Sequence, residues 1–239
     1  MKNKLTFLSL LTVFGCQTVG ADVSIPAYFS EYNKSTSFFM DAVKTDKPEA
    51  FSSMYKSKWY FDADLKNQEG DVVKVSTCTD LVANLQNGYT SLNDYEYGYV
   101  YASNHICESW SELSKLSSAK KSFLADLSFN ESFAKNVPPQ LALVISNETE
   151  ERLATAVSWD DMFSIERVEE LNEEQAIFYS EGSIQKLTLM AKGDYNGDGI
   201  EDLLLYMENS VEGGSYSSVH AYVLTRLSES APYTLLKQW

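Results

Sequence analysis

Apolar positions in the first half of the chain recur at helical spacing, while those in the second half gather into short strand-like runs. Ser24 followed by Pro26 opens a first helical stretch that carries Tyr28, Tyr32, Phe39 and Val43. Asp46-x-x-Glu49 reads as a capping box with Pro48 in the first turn, ahead of Phe51, Met54, Tyr55 and Trp59 on one face. A third helix is predicted from near Thr77, with Asp80 in its first turn, to a stop at Asn87-Gly88. A fourth begins near Ser103 with Ile106, Trp110 and Leu113 on one side, and another covers Ala119 to Phe133. Val137-Pro138-Pro139 closes the helical regime. Beyond it, Leu141 to Ile145 and Leu153 to Val157 read as strands, followed by 175–180, 184–191, 203–208, 219–226 and 232–237. The expected fold class is α+β, with a helical N-terminal half (22–136) followed by an antiparallel β-rich C-terminal half (137–239).

Ahead of these elements, residues 1–21 read as a signal peptide. Met1-Lys2-Asn3-Lys4 is a positive start, and Leu5 to Phe14 is mostly apolar and too short to cross a bilayer. Two processing outcomes fit. Val13-Phe14-Gly15-Cys16 resembles a bacterial lipobox, with Cys16 acylated to become the new N-terminus. Val19-Gly20-Ala21 is a small-residue cleavage site that releases a chain starting at Asp22. The first outcome makes an outer-membrane lipoprotein and the second a periplasmic or secreted protein. Any membrane contact runs through the lipid anchor alone.

Export changes the reading of charge and cysteine. Losing Lys2 and Lys4 leaves 17 basic against 34 acidic side chains, a surface that repels nucleic acid. With Cys16 lipidated or discarded, Cys78 and Cys107 remain as an even pair, which an oxidising compartment joins. Closing that span stabilises by about 3.5 kcal/mol in the loop-entropy picture. The rival reading is a reactive Cys107 thiol beside His105 near a helix start.

The most specific chemistry lies at Gly193-Asp194-Tyr195-Asn196-Gly197-Asp198-Gly199-Ile200-Glu201-Asp202. Asp194, Asn196, Asp198 and Asp202 fall at loop positions 1, 3, 5 and 9, with glycine at position 6 and the carbonyl of Ile200 at position 7. Calcium takes six to eight hard oxygen ligands, and alternate side chains of a tight loop can converge on one such ion. Asn196-Gly197 and Asp198-Gly199 are also ordinary hairpin-turn dipeptides. A turn alone does not require Asp194 and Asp202.

From Gly193 to Leu205 the segment resembles the calcium loops of FG-GAP and VCBS-type bacterial repeats, written G-D-x-[ND]-G-D-G-x-x-D followed by three apolar residues. The resemblance implies Ca²⁺ as cofactor, with Asp194, Asn196, Asp198 and Asp202 as ligands on a loop joining two strands. It departs from a true EF-hand at position 12, where Leu205 replaces glutamate. One copy in 239 residues builds no propeller.

Tyr95, Tyr97, Tyr99 and Tyr101 alternate, which as a strand places four rings on one face. Such rings suit a binding face for another protein, or else cover the helical core. Catalytic patterns are scarce: His105 and His220 are the only histidines, and no nucleophile elbow, zinc-protease or phosphate-loop motif occurs. Asp62-x-Asp64 and eleven acids between Ile145 and Glu181 are the remaining polar clusters. Together these point to an exported, calcium-stabilised binding protein, an envelope inhibitor or immunity-type protein with a protein partner. The alternative is a cell-wall or glycan hydrolase using acidic residues.

Overall fold

A computed structural model describes residues 24–33 and 38–239; the signal segment 1–21 and the Cys16 lipidation site lie outside the described residues. The first half holds β1 (Tyr28–Phe29), α1 (Pro48–Lys56), β2 (Ala63–Lys66), β3 (Val72–Val75), α2 (Cys78–Gln86), β4 (Thr90–Ser91) and α3 (Asp94–Leu113). After it come α4 (Glu131–Asn136), α5 (Asn147–Leu153) and α6 (Trp159–Met162). The chain ends in β5 (Arg167–Asn172), β6 (Gln175–Ser180), β7 (Ser183–Gly193), β8 (Asp202–Val211), β9 (Ser217–Thr225) and β10 (Thr234–Gln238).

The expected α+β division into a helical half and a β half is therefore wrong. The protein is β-rich and antiparallel, with 31% strand against 29% helix, and its first half interleaves short helices with strands. Ala63 and Leu65 are buried while Asp64 and Lys66 are not, a period of two that pairs β2 with β3 and β4. Asp64 faces Lys74 across the ladder at 2.9 Å, which gives the Asp62-x-Asp64 motif a structural partner. Gly70 turns the hairpin at φ +90°, a conformation that glycine adopts without strain.

Other helical expectations fail for local reasons. Where a helix was expected from Ser24, β1 pairs with β7 and a 3-10 turn follows at Glu31–Asn33. The Asn33 amide donates to the Met190 carbonyl at 2.6 Å, tying this segment to the sheet. Helix α1 starts at Pro48 with Lys47 at its cap and no side-chain cap bond, so the Asp46–Glu49 box does not form. The stretch after Ala119 is extended rather than helical, because Ala119 exchanges hydrogen bonds with Ile25 and its neighbours bond the 194–201 loop. The expected strands at 141–145 and 153–157 give way to α5, which Ser146 and Thr149 cap reciprocally.

The main sheet runs β10-β9-β8-β7-β6-β5, with β1 added on β7. Leu203 to Leu205 in β8 and Ala221 to Leu224 in β9 are continuous buried runs because both faces are covered there. Leu187, Leu203, Leu205, Tyr222 and Leu224 pack with Phe129, Phe133, Leu141 and Trp159 from the 124–165 region. Met190, Ala191, Leu204 and Val223 pack on the opposite side with Phe51, Leu65, Leu81 and Trp110 from the first half. A register shift between Leu189 and Ala191 lets Met190 join that second cluster. One polar chain crosses the core: Trp159 Nε1 donates to Gln185, whose amide donates to the Leu141 carbonyl and to Asn209.

Candidate calcium loop and tyrosine face

Residues Asp194 to Glu201 join β7 to β8. Gly197 and Gly199 sit at φ +81° and +84°, a backbone region that side chains other than glycine rarely adopt. The loop's oxygens are turned onto its own amides. Asp194 accepts from Gly197 N–H at 2.8 Å and Gly199 N–H at 2.9 Å. Asn196 accepts from Asp198 N–H at 3.0 Å, and Asp198 from Ile200 N–H at 2.7 Å. Asp202 accepts from Tyr195 N–H at 3.0 Å.

A strap formed by residues 117–122 holds the loop from outside. Ser117 and Asp194 exchange backbone hydrogen bonds, Lys120 and Lys121 both donate to the Gly199 carbonyl, and Glu201 N–H donates to Lys121. The Ser122 hydroxyl then donates to the Glu201 carboxylate at 2.5 Å. This approach needs glycine at 193, where a Cβ would come within 2.9 Å of the Ser117 carbonyl oxygen.

The five loop positions differ in burial. Asp202 is fully buried and Asp194 nearly so; Asn196 and Asp198 are exposed and Ile200 is half-buried. Among the described residues no group of three or more His, Cys, Asp or Glu side chains is gathered around one point as a metal cage. The donor chemistry nevertheless fits a hard cation. Asp202 Oδ1 and the Thr225 hydroxyl are buried beside each other, with no other hydrogen-bond partner among the described residues. Burial raises the Asp202 pKa, and Asp198 and Asp194 push it the same way, against the lowering effects of the Thr225 side chain and Tyr195 N–H. No lysine or arginine among the described residues pairs with this carboxylate.

Cys78 and Cys107 form a disulfide with a Cα separation of 5.3 Å, both residues fully buried. It joins the start of α2 to the middle of α3, since α3 opens at Asp94 rather than near Ser103. That earlier start changes the tyrosines. They lie on a helix and not on a strand, so Tyr95, Tyr97, Tyr99 and Tyr101 do not share one face. The Asn93 side chain caps the helix by accepting Glu96 N–H at 3.1 Å, and Asp94 and Glu96 suit its positive end. Tyr97 stacks on Tyr101 with ring centres 6.2 Å apart, and Tyr101 meets the His105 ring edge-on at 4.6 Å. Tyr99 leans on Phe61. Tyr95, Tyr97 and Tyr99 remain 95%, 62% and 45% exposed, while Tyr101 is half-buried.

Glu112, which no sequence motif marks, links this helix to the loop. Its buried carboxylate accepts from Lys115 and Lys237, each at 2.6 Å, and from the hydroxyl of Tyr195 at loop position 2. Burial pushes its pKa up, but hydrogen bonds from Lys115, Lys237 and Tyr195 outweigh that and hold it below the ordinary value. No protein-family model, curated protein or solved structure matches the chain.

His105 is buried with Nδ1 unpartnered; burial, and then the nearby His220, push its pKa down to about 4. The unfolded chain takes up this proton near pH 6.5 and the folded chain only near 4, so stability is full above 6.5 and falls as pH drops between them. The expected loss from this residue is about 2 kcal/mol at about pH 5. Urea unfolding at neutral pH and at about pH 5 should show that acid-induced loss shrinking by about 2 kcal/mol in His105→Gln. An unchanged loss would contradict the assignment.

Proposed function

We propose that the chain is an exported, calcium-stabilised binding protein of the cell envelope, acting as an inhibitor or immunity-type protein whose exposed tyrosines on the first turns of α3 dock another protein. The observation that carries this reading is that Tyr95, Tyr97 and Tyr99, spread around the first turns of α3, are each exposed. A tyrosine ring brings a large rigid area that docking removes from water, and its hydroxyl still finds a partner at the rim of an interface. The helix that carries the rings is pinned by Cys78–Cys107, which limits the ordering entropy lost on binding. The net charge of −15 favours a basic partner, since complementary charge speeds encounter and discourages wrong partners.

Calcium has a structural part in this reading. Asp194, Asn196, Asp198, the Ile200 carbonyl and Asp202 are the proposed ligands, and the ion supplies the positive charge that Asp202 lacks. An ion bound only by the folded chain stabilises it by about 2.7 kcal/mol at a hundredfold excess over its Kd. The loop is fastened to the strap after α3 and to Glu112, so that stabilisation reaches the helix that presents the tyrosines.

Two experiments test the reading separately. Asp198→Ala should lower the melting temperature clearly more in calcium than in chelator, where only its bonds to Ile200 N–H and Asn196 are lost; equal loss in both removes calcium from the scheme. A pull-down from envelope and secreted fractions should recover one stoichiometric partner with the mature protein and lose it with Tyr95→Ala/Tyr97→Ala. Recovery by both proteins, or by neither, would defeat the tyrosine face as the docking surface. Hydrolysis of peptidoglycan, abolished by one carboxylate substitution, would establish the hydrolase instead.

A further inference from the structure

An open cleft of about 790 Å³ lies between the Leu124–Phe129 segment, the β5–β6 turn and the residues where β1 joins β7. That volume is in the range of ligand sites. Leu124, Phe129 and Leu189 give it an apolar wall, and Leu171, 43% exposed, adds apolar surface. The polar lining is lopsided: Glu170, Glu173 and Glu174 against the single cation Lys192.

The turn that presents these carboxylates is fixed. The Tyr28 hydroxyl donates to the Glu174 carboxylate, and the Lys192 ammonium sits 5.2 Å from the Tyr28 ring centre. Glu174 N–H donates to the Asn172 side chain and its carbonyl accepts from Leu189 N–H, both at 2.8 Å. The carboxylates of Glu170 and Glu173 form no hydrogen bond or ion pair with any described residue, and both residues are exposed. An apolar wall beside two unpaired carboxylates matches a side chain with an aliphatic stem and a cationic head. A bare solvated acidic face would lack the wall, and an anionic ligand would be repelled.

We propose that this cleft binds a lysine- or arginine-bearing segment of a partner protein. The stem lies against Leu171 and Phe129, and the charged head sits between Glu170 and Glu173. The site is independent of the tyrosine face: its wall residues pack in the core cluster on one side of the sheet, whereas α3 packs in the cluster on the other.

The test is fluorescence anisotropy of a labelled peptide alternating lysine and leucine, titrated with the full chain at low and at physiological salt. The expected result is saturable binding of one peptide per chain. Glu170→Gln/Glu173→Gln should weaken it about tenfold, the size of one or two lost charge contacts. Glu148→Gln/Glu151→Gln makes the same change in charge on exposed α5 residues and should weaken it less than about twofold. Tyr97→Ala should leave it unchanged, so failure here is distinguishable from failure of the tyrosine face. Equal weakening by the two double variants would show bare surface charge and overturn the proposal. Equal binding of a glutamate-for-lysine peptide, or no binding at all, would overturn it as well.

Discussion

Leu203, Leu204 and Leu205 on β8 are all fully buried, the first and third against one core cluster and the second against the other. A strand with no polar face needs cover on both sides. The 124–165 region supplies one cover and the first half of the chain supplies the other. The architecture follows from that constraint. Trp159 and Gln185 show the first cover locked by a buried polar chain, in which each donor finds an acceptor. On the other side, the disulfide between α2 and α3 fastens the helix that carries the exposed tyrosines.

The β7–β8 loop is the point where these parts meet. Its backbone pairs with the strap after α3, the strap pairs with Ile25 near the start of the described chain, and Tyr195 reaches Glu112. Glu112 in turn holds Lys237 of the last strand. A buried carboxylate with three donors is satisfied, and removing one of them would leave charge uncompensated in a poorly solvated place. Asp202 is the contrasting case, a buried carboxylate that no lysine or arginine pairs with among the described residues. That difference supports the proposed cation at the loop rather than at Glu112.

The strands from Gln175 onward were legible because apolar runs bounded by Gly182, Gly193 and Gly213 leave little else for the chain to do. Helix α2 was legible because its cap, Thr77, and its stop, Asn87-Gly88, are both local signals. The tyrosines misled because alternation in sequence is not alternation in space. Positions 97 and 101 are neighbours on a helix, and the Asn93 cap with Asp94 and Glu96 was the signal that should have outweighed the period of two. The β2–β3 hairpin was hidden by its shortness, although Asn67 to Gly70 marks its turn. The strap around the loop was beyond local reading. Ser117 finds its partner 77 residues away, and no periodicity reports such a pairing. Of the candidate site, the tight turn at Asn196 to Gly199 could be read from its dipeptides, whereas Glu112 and the acidic cleft arise only when distant segments meet.

The most direct test places a photo-crosslinking amino acid at Tyr97 and, as a control, at the exposed Val72 of the hairpin strand β3, in cells that make the protein. A docking face on α3 predicts one discrete crosslinked protein from position 97 and none from position 72. The same pattern from both positions, or no product from position 97, would contradict a partner at the tyrosine face.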